Sequence, residues 1–318
     1  MASASPTLEK LKGRDFLTLQ DFSAEELEAI MELALRLEAE WRSLKPLQGK
    51  TVVMIFQKPS TRTRVSFEVA VNQLGGWTVT LGWNEMQLGR GETIVDTART
   101  LERYADCVVA RVFRHSDLEE LAEHAGIPVV NALSDLYHPC QALSDMLTLR
   151  KRFGSLKGLK LAWVGDGNNV CHSLLLACSK LGVNMAVACP EGFEPSEKVL
   201  QVALKEAESS GAKIEIVREP EEAASQADVI YTDVFVSMGF EEERERRLKA
   251  FLPKYQVTPK LFQHAKPNCV FMHCLPAHRG EEVVDEVIDG PQSIVWEQAE
   301  NRLHLQRGLL AVLLQGEP

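Results

Sequence analysis

The densest chemistry in the sequence follows a short apolar run at 51–56: Gln57-Lys58-Pro59-Ser60-Thr61-Arg62-Thr63-Arg64. Ser60 to Arg64 hold three hydroxyls and two guanidiniums where a strand gives way to a helix. A cation in the first turn opposes the positive end of the helix dipole, so Arg62 and Arg64 are locally unfavourable there. A bound anion reverses that sign. Free backbone N–H groups, hydroxyls and a guanidinium fork together make a phosphate cradle. The bland alternative is a Ser-capped helix with solvated arginines. No GxxxxGK[ST] run is present, so the segment is not a P-loop.

Four other places could carry chemistry. Arg111 stands near the end of the apolar run 107–113, and an arginine in such company calls for an anionic partner, a substrate or a structural carboxylate. His138-Pro139-Cys140-Gln141 opens a helix with Pro at its first position, which puts His138 and Gln141 at the helix mouth. Asp233 and Ser237, after another strand, could grip an amine, or Asp233 could simply cap a turn. His273-Cys274-Leu275-Pro276 closes a strand whose alternation points His273 and Cys274 to opposite faces. Cys274 is thus a reactive thiol or an inert buried one. Gly165-Asp166-Gly167-Asn168-Asn169 invites a dinucleotide reading, but GxGxxG needs glycine at 170, where Val170 stands.

Positioning these residues takes elements that alternate in type. Ser23 and Glu26 form a capping box, followed by apolar residues at helical spacing. Strands are expected at Thr51–Phe56 and at 77–81, 107–113 and 127–130, with helices at 65–74, 93–104 and 117–124 between them. A longer helix runs from 139 to about 152. The alternation then restarts with strands at Lys160–Val164 and at 183–188, 213–217, 228–233 and 269–274, and the last helix spans 304–314. Strands alternating with helices mean parallel sheets, with ligands bound off the carboxyl ends of the strands. The fold class expected is α/β: two doubly wound parallel-sheet domains with the active site in the cleft between them.

Composition narrows the field. With 318 residues the chain is long enough for two cores, and 45 Asp+Glu against 35 Lys+Arg give a net charge of −10. That balance disfavours nucleic acid as a partner. No apolar run reaches the roughly 20 residues of a membrane span, and the first 12 residues resemble neither a signal nor a transit peptide. Seven scattered cysteines without a CxxC pair argue against a disulfide framework and against a zinc site. A cytoplasmic protein is the expectation.

Taken together, the motifs at 56–64, 138–141, 233–239, 273–276 and 300–302 resemble the aspartate/ornithine carbamoyltransferase family. The last substrate-side motifs, Asp233…Ser237-Met238-Gly239 and His273-Cys274-Leu275-Pro276, are those of its ornithine branch. The resemblance implies a carbamoyl-phosphate-binding domain over residues 1–142, an ornithine-binding domain over 143–300, and a C-terminal helix, 301–318, packing back on the first. It implies that Ser60, Thr61, Arg62 and Thr63 hold the phosphate and that Arg111, His138 and Gln141 reach the phosphate and carbonyl. Cys274, Leu275 and Arg302 border the carbamoyl group, and Gln87 is lent by a neighbouring subunit, hence a homotrimer with shared sites. Asn169, Asp233, Ser237 and Met238 match ornithine-binding positions, and Arg111, His138 and Cys274 are the catalytic candidates. Ala277-His278-Arg279-Gly280 is a variable stretch that inherits nothing.

The implied reaction moves a carbamoyl group from carbamoyl phosphate to the δ-amine of L-ornithine, giving citrulline and phosphate, with no cofactor and no metal. An amine whose pKa resembles that of lysine, about 10.4, is neutral in about one molecule in two thousand at pH 7, a deficit of about 4–5 kcal/mol. Oxyanion donors such as Thr63, Arg111 and His138, each worth about 3–4 kcal/mol, can offset it. The competing readings are transfer to aspartate, putrescine or an N-acylated ornithine, a non-catalytic carbamoyl-phosphate-binding homologue, and a nicotinamide dehydrogenase.

Overall fold

The computed structural model describes residues 6–237 and 239–316. The chain divides into two compact units, one running to Leu147 and rejoined from Glu300, the other spanning Thr148–Ala299.

The first unit carries four parallel strands, β1 (Thr51–Phe56), β2 (Trp77–Gly82), β3 (Cys107–Arg111) and β4 (Val129–Leu133), in the order β2-β1-β3-β4. Chain order reverses at β1, which places the loops after β1 and β3 side by side at the carboxyl edge. β1 and β3 are buried along most of their length, whereas the edge strand β2 leaves Trp77 and Val79 exposed. Val53, Ile55, Val108 and Ala110 pack with Leu101, Leu118 and Leu121 of the flanking helices into one core.

The second unit has five parallel strands, β5 (Lys160–Val164), β6 (Asn184–Ala188), β7 (Ile214–Val217), β8 (Val229–Thr232) and β9 (Val270–His273), ordered β7-β6-β5-β8-β9. Here the switch lies between β5 and β8. Both sheets are doubly wound and parallel, as the alternation of elements predicted. Within the core of this unit Phe235 stacks on Phe251, which Phe193 and Tyr255 meet edge-on.

Element ends differ from expectation for local reasons. The helix expected from 65 begins at Thr61, because Ser60 caps it with its Oγ accepting from the Thr63 N–H at 3.3 Å. The strand expected at 127–130 is displaced to Val129–Leu133, since Pro128 has no N–H to offer a ladder. The final helix runs Val295–Gln315, well beyond 304–314. Its buried Gln298, Arg302, Gln306 and Arg307 break the apolar periodicity from which its length was read. No described helix is long and apolar enough to cross a membrane.

Candidate active site

In the first unit, eight of the predicted side chains come from four places along the chain. Ser60, Thr61, Arg62 and Thr63 form the start of helix Thr61–Gln73, just after β1. Arg111 is the last residue of β3 and is buried (7% exposed). His138 and Gln141 lie at the mouth of helix Pro139–Phe153, both buried. Arg302 reaches them from the last helix, its Nη2 donating to Thr63 Oγ1 at 2.9 Å.

The two arginines of the cradle differ in what they are free to do. Arg64 is engaged: its Nε lies 3.1 Å from Glu68 Oε1, which also accepts from the Thr80 hydroxyl. Arg62 makes no hydrogen bond or ion pair among the described residues. A lone cation at the positive end of a helix is an arrangement that an anion would complete.

Burial holds the His138 imidazole well below its usual range, and the charges of Arg302 and Arg111 push it the same way. The ring is therefore neutral at pH 7, with one N–H to donate and one lone pair to accept. Gln141 Nε2 donates to Asp145 Oδ1 at 2.9 Å, while its Oε1 is buried with no hydrogen-bond partner among the described residues. Such an acceptor suits a ligand that donates N–H.

In the second unit Asp233, just past β8, is the hub. Its Oδ2 accepts from Asn168 Nδ2 at 2.8 Å and its Oδ1 accepts from the Cys274 thiol at 3.1 Å. Asn168 also caps the helix Asn169–Leu181, accepting from the N–H groups of Val170 and Cys171. Asn169 follows Asn168 in the chain and Ser237 lies four residues past Asp233, both half-buried. Met238, the fourth ornithine-binding expectation, lies outside the described residues.

β9 ends at His273, so Cys274 and Leu275 belong to the turn after it rather than to the strand. Leu275 has φ 60°, left-handed backbone for a branched residue, and its N–H donates to His273 Nδ1 at 2.8 Å. With Nδ1 accepting, His273 Nε2 carries the proton and donates to Glu282 Oε1 at 3.0 Å, both side chains fully buried. His273 thus pins the backbone that presents Cys274 and Leu275.

Asp233, His273 and Cys274 offer atoms within 4.8 Å of one another, as do His278, Glu281 and Glu282. In the first group the imidazole is committed at both nitrogens, so its geometry serves the turn rather than an ion. Gly167, which tempted the dinucleotide reading, has a different reason to be glycine. A Cβ there would lie 2.2 Å from Pro195 N and 2.4 Å from Glu194 C, so its face is closed by another loop. Gln87 sits exposed in the short helix Gln87–Arg90, and no described contact ties its side chain to the Ser60–Arg302 group. Sequence reasoning missed Asn168 and Glu282. The first is a recognisable N-cap; the second gives no local signal.

Comparison with known proteins also gives two domains, with the last helix counted in the second. The description "Aspartate/ornithine carbamoyltransferase, carbamoyl-P binding domain" matches residues 14–151, and the Asp/Orn binding domain of the same family matches 157–313. The chain is 56% identical over 309 residues to the ornithine carbamoyltransferase of Pyrococcus abyssi, covering 96% of this chain and 97% of that one. It is 51% identical over 313 residues to that of Bacillus subtilis, covering 98% and 97%. The solved ornithine carbamoyltransferase of Pyrococcus furiosus superposes with a TM-score of 0.93 at 55% identity, over 96% of this chain and 98% of that one. That of Giardia lamblia does so at 0.86 with 32% identity, over 95% and 98%.

Proposed function

The chain belongs to the aspartate/ornithine carbamoyltransferase family, and we propose that it transfers the carbamoyl group of carbamoyl phosphate to the δ-amine of L-ornithine. The observation that carries this reading is Arg62, an unpartnered guanidinium at a capped helix N-terminus in the unit that also buries Arg111 and Arg302. The second unit supplies the complement, a buried carboxylate, Asp233, in contact with a thiol.

In the proposed reaction the phosphate takes the N–H groups and hydroxyls at Ser60, Thr61 and Thr63 and the Arg62 fork. Arg111 and the neutral His138 donate to the carbamoyl oxygen, which becomes the oxyanion. Gln141 Oε1 accepts from the carbamoyl N–H, and Arg302, Cys274 and Leu275 border the group. Asn169, Asp233, Ser237 and Met238 receive ornithine, with Asp233 compensating an ammonium charge. The neutral δ-nitrogen bonds to the carbamoyl carbon, the bond from that carbon to the phosphate oxygen breaks, and the proton shed by nitrogen leaves on the phosphate. Transfer needs both groups of side chains at one carbon, so the proposal includes their meeting around the substrates. None of these steps calls on a cofactor.

We further read the chain as a homotrimer in which Gln87 completes a neighbour's site. Val65, Trp77, Val79 and Tyr104 of the first unit are 52%, 69%, 45% and 75% exposed, which favours a covered surface there. The cytoplasm is the compartment that suits seven cysteines joined by no disulfide among the described residues. A biosynthetic direction follows the relative from Pyrococcus furiosus that is named anabolic.

A citrulline assay tests the activity, with kcat/KM compared for ornithine, N-acetylornithine, putrescine and aspartate. Ornithine should be preferred clearly; preference for any other amine refutes the substrate assignment. Calorimetry showing phosphate-analogue binding without turnover on any of the four would favour a non-catalytic homologue.

A further inference from the structure

Three loops leave the carboxyl ends of neighbouring strands in the second unit: 165–169 after β5, 189–196 after β6 and 233–240 after β8. One side chain touches all three. Arg247, from the helix Arg244–Phe251, is buried at 7% exposure. Its Nη1 donates to Asp166 Oδ2 at 2.9 Å and to the Phe235 carbonyl at 3.3 Å. The guanidinium lies over the Phe240 ring at 4.3 Å and over the Phe193 ring at 5.3 Å from each centroid. Its Nε stands 3.4 Å from Glu243 Oε2.

The positions of these contacts along the chain are informative. Phe235 and Phe240 bracket Ser237, so the loop is held on both sides of the proposed ornithine contact, by a carbonyl on one side and a ring on the other. Asp166 lies in the loop that supplies Asn168 and Asn169. Phe193 lies in the loop that closes over Gly167. Within the loop the Phe240 N–H donates to the Ser237 carbonyl at 3.0 Å, but Gly239 has φ 101° and Phe240 is 43% exposed, so Arg247 adds the buried anchor that this turn lacks by itself. Each residue left to order on substrate binding costs about 1–2 kcal/mol of backbone entropy, which is subtracted from affinity.

We propose that Arg247 is a positioning residue for the amine substrate, fixing the Phe235–Phe240 loop in register with the Asp166–Asn169 loop so that Ser237 and Asn169 are in place before ornithine arrives. The proposal rests on the ornithine reading above. Arg247 touches no substrate; it acts through the two loops. Its planar fork is what the place demands, since one guanidinium must pair with a carboxylate, reach a carbonyl and stack on an aromatic face at once. Lysine could keep the charge beside Asp166 but not the other two.

Steady-state kinetics on Arg247→Met, Arg247→Lys and Phe240→Leu test it, varying each substrate with the other saturating. Loss of a charge-assisted network of this kind should raise the ornithine KM in Arg247→Met by about tenfold to a hundredfold, with the carbamoyl phosphate KM within about twofold of wild type. Arg247→Lys should fall between wild type and Arg247→Met, and Phe240→Leu should raise the ornithine KM by a few-fold (about three) through loss of the stack alone. Removing one partner of a buried pair can unfold a protein, so Arg247→Met/Asp166→Asn is made alongside to avoid leaving an unpaired carboxylate. Equal rises in both KM values would reduce Arg247 to a general structural role and overturn the proposal. So would an unchanged ornithine KM in folded Arg247→Met, or in Arg247→Lys and Phe240→Leu together. Wild-type enzyme that carbamoylates a different amine would refute the ornithine reading instead, and the same comparison made with that amine still decides the role of Arg247.

Discussion

Arg62→Ala separates anion binding from an ordinary capped helix, because only anion binding makes activity fall while stability rises. Arg62 is half-buried in the first turn of helix Thr61–Gln73 and has no partner among the described residues. Removing it relieves a cation at the positive end of the dipole, a gain of about 0.3–1 kcal/mol. Alanine is the choice over glycine, whose helix penalty of about 1 kcal/mol would mask that gain. At about 2–4 °C per kcal/mol for units of this size, the unfolding midpoint should rise by about 1–4 °C. Toward a phosphate, the same side chain offers a fork of two charge-assisted hydrogen bonds at about 1.5–3 kcal/mol each. Their loss, about 3–6 kcal/mol, is about two to four orders of magnitude in kcat/KM for carbamoyl phosphate. Arg64→Ala is the control. It removes an exposed i,i+4 pair with Glu68, about 0.3–0.5 kcal/mol of stability, and should leave kcat/KM within about threefold. Calorimetric melting and citrulline kinetics on both variants complete the assay. Arg62→Ala enzyme within about threefold of wild type, or one that loses stability along with activity, refutes the reasoning.

Histidine-selective NMR should find His138 still neutral at the pH where an ordinary imidazole is half-protonated, because burial and the charges of Arg302 and Arg111 lower it; a midpoint above the ordinary 6.5 contradicts this. The unfolded imidazole protonates near 6.5 and the folded one well below, so stability attached to His138 is full above that value and is lost as pH falls beneath it. Asp166 runs the other way: burial raises its carboxyl to about 6 against 3.8, while Arg247 draws it down and Asp233 and Glu243 add repulsion. Its unfavourable contribution therefore grows as pH rises from about 4 to above 6, by up to about 3 kcal/mol, and Asp166→Asn should flatten the pH dependence of the melting midpoint over that window. Gly167→Ala should cost about 3 kcal/mol or more, a fall of about 6–12 °C, because the new Cβ meets backbone at Pro195 rather than a side chain able to yield; an unchanged midpoint would show that the 193–195 loop moves freely. Mixing Arg62→Ala and Gln87→Ala subunits should restore about a quarter of wild-type activity if sites are shared in a trimer, and none if each chain works alone.

How far the site could be read in advance depended on how far apart its partners lie. The Ser60 cap, the parallel strands and the helix mouth at His138 are local patterns, and local periodicity found them. The Arg302–Thr63 bond joins residues 239 apart, Asn168–Asp233 joins residues 65 apart, and Arg247–Asp166 residues 81 apart. No spacing rule reaches across such distances, because the pairing is set by which strands become neighbours in the sheet. Family resemblance identified Arg302 and Asp233 as site residues yet said nothing of Asn168, Glu282 or Arg247, which hold the site without contacting substrate in the proposed scheme. The Gly165-Asp166-Gly167 run is the converse case, in which Val170 already argued against a dinucleotide. Its composition suggested a ligand's approach, and the atoms that fill the space belong to Glu194 and Pro195.

A net charge of −10 and a proposed site for an acyl phosphate are compatible because the two act on different length scales. At physiological salt an exposed charge is felt over roughly 8 Å, so the acidic surface governs encounters with extended polyanions and little else. Arg111, His138 and Arg302 are buried in the first unit, where screening is weak and each guanidinium acts on its neighbours directly. His138 registers that local field: two cations and burial hold its ring neutral, which is the protonation state in which it can donate one N–H to a carbonyl without adding charge. Burial first, and then the two clustered arginines, thus make His138 a neutral donor. A dianion entering the same place meets a field that its own charge compensates, and the departing phosphate restores the field that disfavoured a third positive group. The selectivity for a small anion over a polymeric one is then a matter of burial, which admits the first and excludes the second.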